Sequence, residues 1–282
     1  MMDIVFVVAK STARAPSTYM RALQLSYLVN KLSDLNTRVH NLDDIKNIKN
    51  KILIFNKFSI QHTDPKIIKR LSQDNKIVFD YVCLNIPPKP PEYVDMFVAS
   101  SVRQYNWMNE HGFRCHKVLH HADPRIIPSE QEVRPKVKYF GITSNTIMPD
   151  KRLIEIIPVG MNAEDTKWMH KVLEPCIHYN LRSKIPGNNF KPFTKNVLAA
   201  HTNSLVITDE ADDNLFYMND YPYMYRGGDI NNFVAKTIKS VVDKDDDFVK
   251  AKEIMKSIKE EFSHQSIVNQ FVEMIKLLEP TG

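Results

Sequence analysis

The chain has 282 residues, 43% hydrophobic and 25% charged, which is apolar material for two medium domains and argues against a disordered or fibrous protein. Its 38 Lys and Arg against 33 Asp and Glu leave a formal charge of +5, a mild surplus that suits an anionic small ligand or a peripheral membrane contact. No basic tract interleaved with aromatics points to nucleic acid. The cysteines Cys83, Cys115 and Cys176 are odd in number and scattered, so they suggest neither a disulfide framework nor a zinc site and fit a reducing, cytoplasmic setting.

The first residues, "MMDIVFVVAK", carry an apolar run too short for a signal or a membrane span and read as a buried strand. The segment "STYMRALQLSYLVNKL" follows as a helix with Ser17 as cap and Met20, Leu23, Tyr27 and Leu28 on one face. "KILIFN" is a strand, "DPKIIKRLSQD" a helix started by Asp64 and Pro65, and "KIVFDYV" a strand. "MFVASS", "VRQYNWMNEHG" and "CHKVLHH" continue as strand, helix and strand. This alternation of short apolar runs with helix-period segments is the pattern of a parallel α/β sheet.

Residues 122–136, "ADPRIIPSEQEVRPK", have three prolines and no sustained apolar period, and read as a linker. Beyond it, "VKYFGI", "AEDTKWMHKVL", "PCIHY", "FTKNVLAAH", "NSLVIT" and "INNFVAKTIKSVV" repeat the α/β pattern, and two amphipathic helices close the chain. The expectation is an N-terminal domain over residues 1–135 and a C-terminal domain over 136–282, both Rossmann-like, facing a cleft. The last helix is expected to pack back on the first domain. Only seven glycines occur, with no G-x-G-x-x-G or Walker loop, which argues against a dinucleotide or P-loop enzyme. The run Asp245 to Asp247 reads as a helix N-cap.

In open α/β sheets ligands sit beyond the carboxyl ends of the strands, so the residues there are the candidates. In the first half these are Lys10, Arg14 and Ser17, then Asp80, then the pair His120 and His121, of which at most one enters a cleft. In the second half they are Gly141, Thr143, Ser144, Asn145 and Lys151, then Asn180, Arg182 and Lys184. "FKPFTKNVLAA" adds a question of its own. Lys191, Thr194 and Lys195 stand at a helix start, where the macrodipole disfavours cations. Either they are solvated and Thr194 caps the helix, or they and the free N–H groups hold an anion. Tyr221, Tyr223 and Tyr225 either form one face of a strand or present aromatic rings to a ligand.

Four stretches resemble the two-Rossmann-domain glycosyltransferases called GT-B, in the style of the short family-4-like members. They are "KILIFNKFSIQHTDPKIIKRLSQDNKIVFDYV", "VDMFVASSVRQYNWMNEHGFRCHKVLHHADPR", "KVKYFGITSNTIMPDK" and "FKPFTKNVLAAHTNSLVIT", and they follow the family's order over most of the chain. The resemblance implies transfer of a sugar from a nucleotide diphospho-sugar to a hydroxyl on a glycan or lipid-linked acceptor, with no cofactor and no metal. Gly141, Ser144, Lys151, Arg182, Lys191, Thr194, Lys195 and Asn196 would then hold the donor. Lys10, Arg14 and Ser17 would meet the acceptor, with Asp80 and His120 as acid–base candidates. Retaining members carry two glutamates eight positions apart around this loop. Here the matching positions are Lys191 and Ala199, which leaves the stereochemistry open and makes a catalytically inactive, nucleotide-sugar-binding subunit the alternative.

Overall fold

The computed structural model describes residues 3–83, 86–128, 130–182 and 192–279. Strand β1 (Asp3–Val8) is buried along its Val, Ile and Phe run, as a parallel strand covered on both faces must be. It leads into a helical segment of three parts: α1 (Pro16–Thr18), a π-helical stretch (Tyr19–Gln24) and α2 (Leu25–Leu32). Ser17 is not its cap. Ala15 takes that position without a side-chain bond, and Pro16 starts the turn, where its missing N–H costs nothing. The π turn also rotates the buried face away from the expected one. Arg21, Ala22, Gln24, Leu25, Leu28 and Val29 turn inward, and Tyr27 stays 53% exposed.

The first half continues through β2 (Thr37–Asn41), β3 (Lys51–Asn56), α3 (Lys57–His62), α4 (Pro65–Leu71), β4 (Lys76–Asp80), β5 (Met96–Ala99), α5 (Val102–Glu110) and β6 (Cys115–Lys117). All six strands pair in parallel in the order β2-β1-β3-β4-β5-β6. Neither β2 nor α3 is legible in the sequence. The edge strand β2 is only partly buried and lacks an apolar run, and α3 depends on Asn56, whose Oδ1 accepts from the Phe58 and Ser59 N–H groups.

The second half holds β7 (Val137–Phe140), β8 (Glu155–Ile157), α6 (Met169–Val172), β9 (Ile177–Asn180), α7 (Thr194–His201), β10 (Leu205–Asp209), α8 (Asp212–Met218) and β11 (Met224–Tyr225). Its five strands are parallel in the order β11-β10-β9-β7-β8. The helix expected over "AEDTKWMHKVL" shrinks to four residues. Asn162 and Asp165 side chains bond the N–H groups of Glu164 and Lys167, and so hold the segment in turns. Tyr221 and Tyr223 form no strand face, since both are buried in the core. The Tyr221 hydroxyl accepts from Val206 N–H at 3.0 Å, and Tyr223 bonds Ser240 at 2.8 Å.

Three helices complete the chain, α9 (Ile230–Asp243), α10 (Asp246–Glu261) and α11 (His264–Lys276), the second capped by Asp245, which accepts from Phe248 N–H at 3.0 Å. Helix α11 returns to the first sheet. Phe271 stacks on Phe6 with centroids 5.6 Å apart, and the Gln270 side chain accepts from Leu119 N–H. The two sheets meet carboxyl edge to carboxyl edge. The loop after β1 contacts the loop after β8, where Ala163 N–H donates to Arg14 C=O at 2.9 Å, and the start of α5 contacts α8. The result is two Rossmann-like units facing a cleft, with helices α9–α11 at the end of the chain.

Candidate functional site

The carboxyl edge of the second sheet brings together groups far apart in sequence. Gly141, just after β7, has φ +143°, and a Cβ built there would lie 3.3 Å from the Tyr139 hydroxyl and 3.5 Å from Lys195 Nζ. The positive φ is what favours glycine here, and a Cβ would also press on the Tyr139 hydroxyl. Lys195, in the first turn of α7, holds its ammonium 4.0 Å from the Tyr139 ring centroid. Tyr139 in turn donates its hydroxyl proton to Ile142 C=O at 2.7 Å. Arg182 follows β9, and its guanidinium donates to Pro192 C=O at 3.0 Å while its backbone N–H donates to Asp209 Oδ2 at 2.9 Å.

Electrostatics ties these groups to one another. Burial lowers the Arg182 pKa, and the charges of Asp209 and Asp213 oppose that shift. Burial raises the Tyr139 pKa, against the pull of Arg182. Beneath them, burial pushes His178 down to about 3, with Lys138 and Lys195 adding to it, so this imidazole is neutral at pH 7. The edge therefore presents two cations, a glycine and the first turn of α7, whose N-cap Phe193 supplies no side-chain acceptor. Orphan N–H groups beside cations are the elements of an anion site.

Two expected donor residues have different roles. Thr194 does not cap α7; it is the first helical residue and is half-buried. Asn196 is wholly buried, its Oδ1 accepting from Asn180 at 2.6 Å and its Nδ2 donating to Asn214 at 2.9 Å and Thr208 at 3.2 Å. A side chain so committed supports the edge from below and is not a ligand contact. Ser144 and Lys151 are exposed in the loop between β7 and β8. Next to Lys151, the Asp150 N–H donates to Asn231 at the start of α9. Lys184 and Lys191 lie outside the described residues.

On the facing edge the acid–base expectation is corrected. Asp80 is buried with its Oδ2 2.6 Å from Arg21 Nε, an ion pair whose side chains are 3% and 0% exposed, and its Oδ1 accepts from Val82 N–H. Arg21 also donates to Leu119 C=O at 2.9 Å. His120 is 3% exposed, its Nδ1 packed against the Met20 sulfur, and burial holds its pKa well below the usual histidine value. Neither group reaches an acceptor hydroxyl from these positions. Arg14 pairs with Glu164 at 2.9 Å across the cleft, Ser17 is half-buried within α1, and Lys10 lines a separate cavity beside β2.

Several residues of the site go beyond the sequence reading. Asp213 of α8 reaches across the cleft, and its Oδ1 accepts from Val102 N–H at 3.1 Å and Arg103 N–H at 3.4 Å, at the N-terminus of α5. Cys83, after β4, lies 3.4 Å from Lys57 Nζ and close enough to Arg182 to act on its charge. Asp209 and Tyr139 were not candidates either, although Asp209 ends β10 at the edge where ligands sit and could have been found by that rule. Among the described residues, no group of three or more His, Cys, Asp or Glu is arranged to hold a metal ion, and no helix is long and apolar enough to cross a membrane.

No family model matches the sequence, and no curated protein matches it. Solved structures do match in fold. HepE of Anabaena, solved with UDP and glucose, superposes with a TM-score of 0.64 at 9% identity, over 98% of this chain and 100% of that one. AviGT4, a glycosyltransferase involved in avilamycin A biosynthesis, gives 0.63 at 11% identity over 99% and 98%. A chain of the GtfA/B complex gives 0.53 at 8% identity, covering 84% of this chain but only 59% of that one. At these identities the likeness is one of fold, and the fold is that of the GT-B glycosyltransferases.

Proposed function

We propose, from the GT-B fold that the chain shares with these glycosyltransferases, that it moves a sugar from a nucleotide diphospho-sugar to a hydroxyl of a glycan, glycolipid or other biomolecule. The observation that carries this reading is the grouping of Arg182, Lys195, Gly141 and the uncapped first turn of α7 at one sheet edge. HepE binding UDP on the same fold supports a nucleoside diphosphate there. In the reaction the bond from the anomeric carbon to the diphosphate breaks with its electron pair on the diphosphate oxygen. The acceptor oxygen forms the new bond to that carbon and releases its proton to a phosphate oxygen or water. The leaving diphosphate gains charge in the transition state, so cations and N–H groups fixed in advance lower the barrier. That role needs no metal ion. The three cysteines are unpaired with one another, in keeping with a reducing cytoplasmic setting.

The alternative is a subunit that binds the nucleotide sugar without turning it over. Two observations favour it. Ala199 is buried within α7 where the resembling family places its second glutamate, and Asp80 is committed to Arg21. Incubation with UDP- and GDP-sugars separates the two. Release of free UDP or GDP, faster with acceptor present, is the result expected of the enzyme. Saturable binding with no release over hours would establish the binder.

A further inference from the structure

A cavity of about 560 Å³ lies at the outer carboxyl corner of the first sheet, between the loop after β1, the turn after β2 and the junction of α3 with α4. Its size falls in the range of roughly 300–1,000 Å³ typical of small-ligand sites. Its apolar wall is aliphatic, formed by Ala9, Leu42, Ile45 and Ile67, and no Phe, Tyr or Trp lines it. Such a wall gains from covering hydrocarbon, whereas a sugar ring pressed on it would bury hydroxyls without partners.

The mouth carries two lysines, Lys10 and Lys46, and two aspartates, Asp43 and Asp64. Asp43 faces Lys46 at 3.8 Å, and Asp64 Oδ1 accepts from Lys66 N–H at 2.8 Å as the cap of α4. Lys10 is exposed and has no carboxylate partner among the described residues. Lys10 and Ser11 open the same loop that carries Arg14 to Glu164 across the cleft, so the Lys10 side of the cavity lies toward the site described above.

We propose that this cavity holds the acceptor, and that the acceptor is an amphiphile whose aliphatic segment lies on Leu42, Ile45 and Ile67 and ends in an anionic group at Lys10. The assignment as acceptor rests on the transferase reading; the ligand chemistry rests on the cavity alone. The test uses octyl phosphate below its micelle concentration, titrated into the full chain and followed by backbone amide NMR. Octyl glucoside, octanol and inorganic phosphate serve as comparison probes.

The shifts are expected at residues 9–11, 42–46 and 62–67. Octyl phosphate should bind at least about tenfold more tightly than each comparison probe, because only it offers both the apolar segment and the charge. Ile67→Glu, at a position already 36% exposed, and Lys10→Glu, at an exposed turn, should each weaken it by about tenfold. Shifts elsewhere, equal binding of inorganic phosphate or octyl glucoside, or undiminished binding in both variants would overturn the proposal. UDP titrated into the same wild-type sample keeps the two readings apart. UDP binding without octyl phosphate binding removes the cavity assignment alone, and the reverse removes the acceptor role while the ligand chemistry stands.

Discussion

The Arg21–Asp80 pair shows what the residue scale contributes. Both side chains are almost wholly buried, and Arg21 is further held by Leu119 C=O. Removing one partner of such a pair strands the other charge in the interior, so Asp80→Ala is expected to destabilise the fold by about 3–5 kcal/mol in denaturant unfolding. A loss under 1 kcal/mol would mean that Arg21 finds water in the variant. From sequence, Asp80 was legible as a strand-end carboxylate and no further. Its partner is 59 positions away, in a π-helical stretch whose turn faces a direction that a 3.6-residue period cannot give. Lys195 was legible for the opposite reason. A lysine in the first turn of a helix conflicts with the macrodipole locally, and the structure sets it against Gly141 and Tyr139.

At the scale of elements, the apolar strands β1, β3, β4, β5 and β10 could be read from their composition, because buried parallel strands are rich in Val, Ile, Leu and Phe. Edge elements such as β2 and β8 could not, since half-exposed strands carry no such run. Contacts between elements were also hidden. Asp213 supplies α5 with acceptors from the other half of the molecule. Asp213→Ala should therefore cost about 1 kcal/mol, the usual worth of a helix N-terminal acceptor. It should also raise amide exchange at Val102 and Arg103, which a purely local effect within α8 would leave unchanged.

For the whole molecule, buried histidines set the acid limit. Burial pushes His121 down to about 4 and His178 down to about 3, and it holds His120 well below its ordinary value. These folded pKa values lie below the unfolded one, so the unfolded chain takes up protons that the native state refuses. Stability from this source is complete above about pH 6.5 and is lost as the pH falls through the folded values. Below about pH 6 these histidines erode stability progressively as the pH falls. Melting temperatures flat from pH 8 to 7 and falling steadily below 6.5 are expected; a flat profile to pH 4.5 would contradict the buried, neutral assignment.

The two-sheet architecture was legible because the α/β alternation restarts after a proline-rich stretch, and the cleft follows from sheets that meet edge to edge. The central claim is narrower, that the second sheet's edge binds a nucleoside diphosphate. Thermal melting with UDP and GDP, on the wild type and on Lys195→Ala, tests it most directly. A stabilisation by one of the two nucleotides that is lost in the variant is the predicted result, while no stabilisation by either, or one that Lys195→Ala leaves intact, would contradict it.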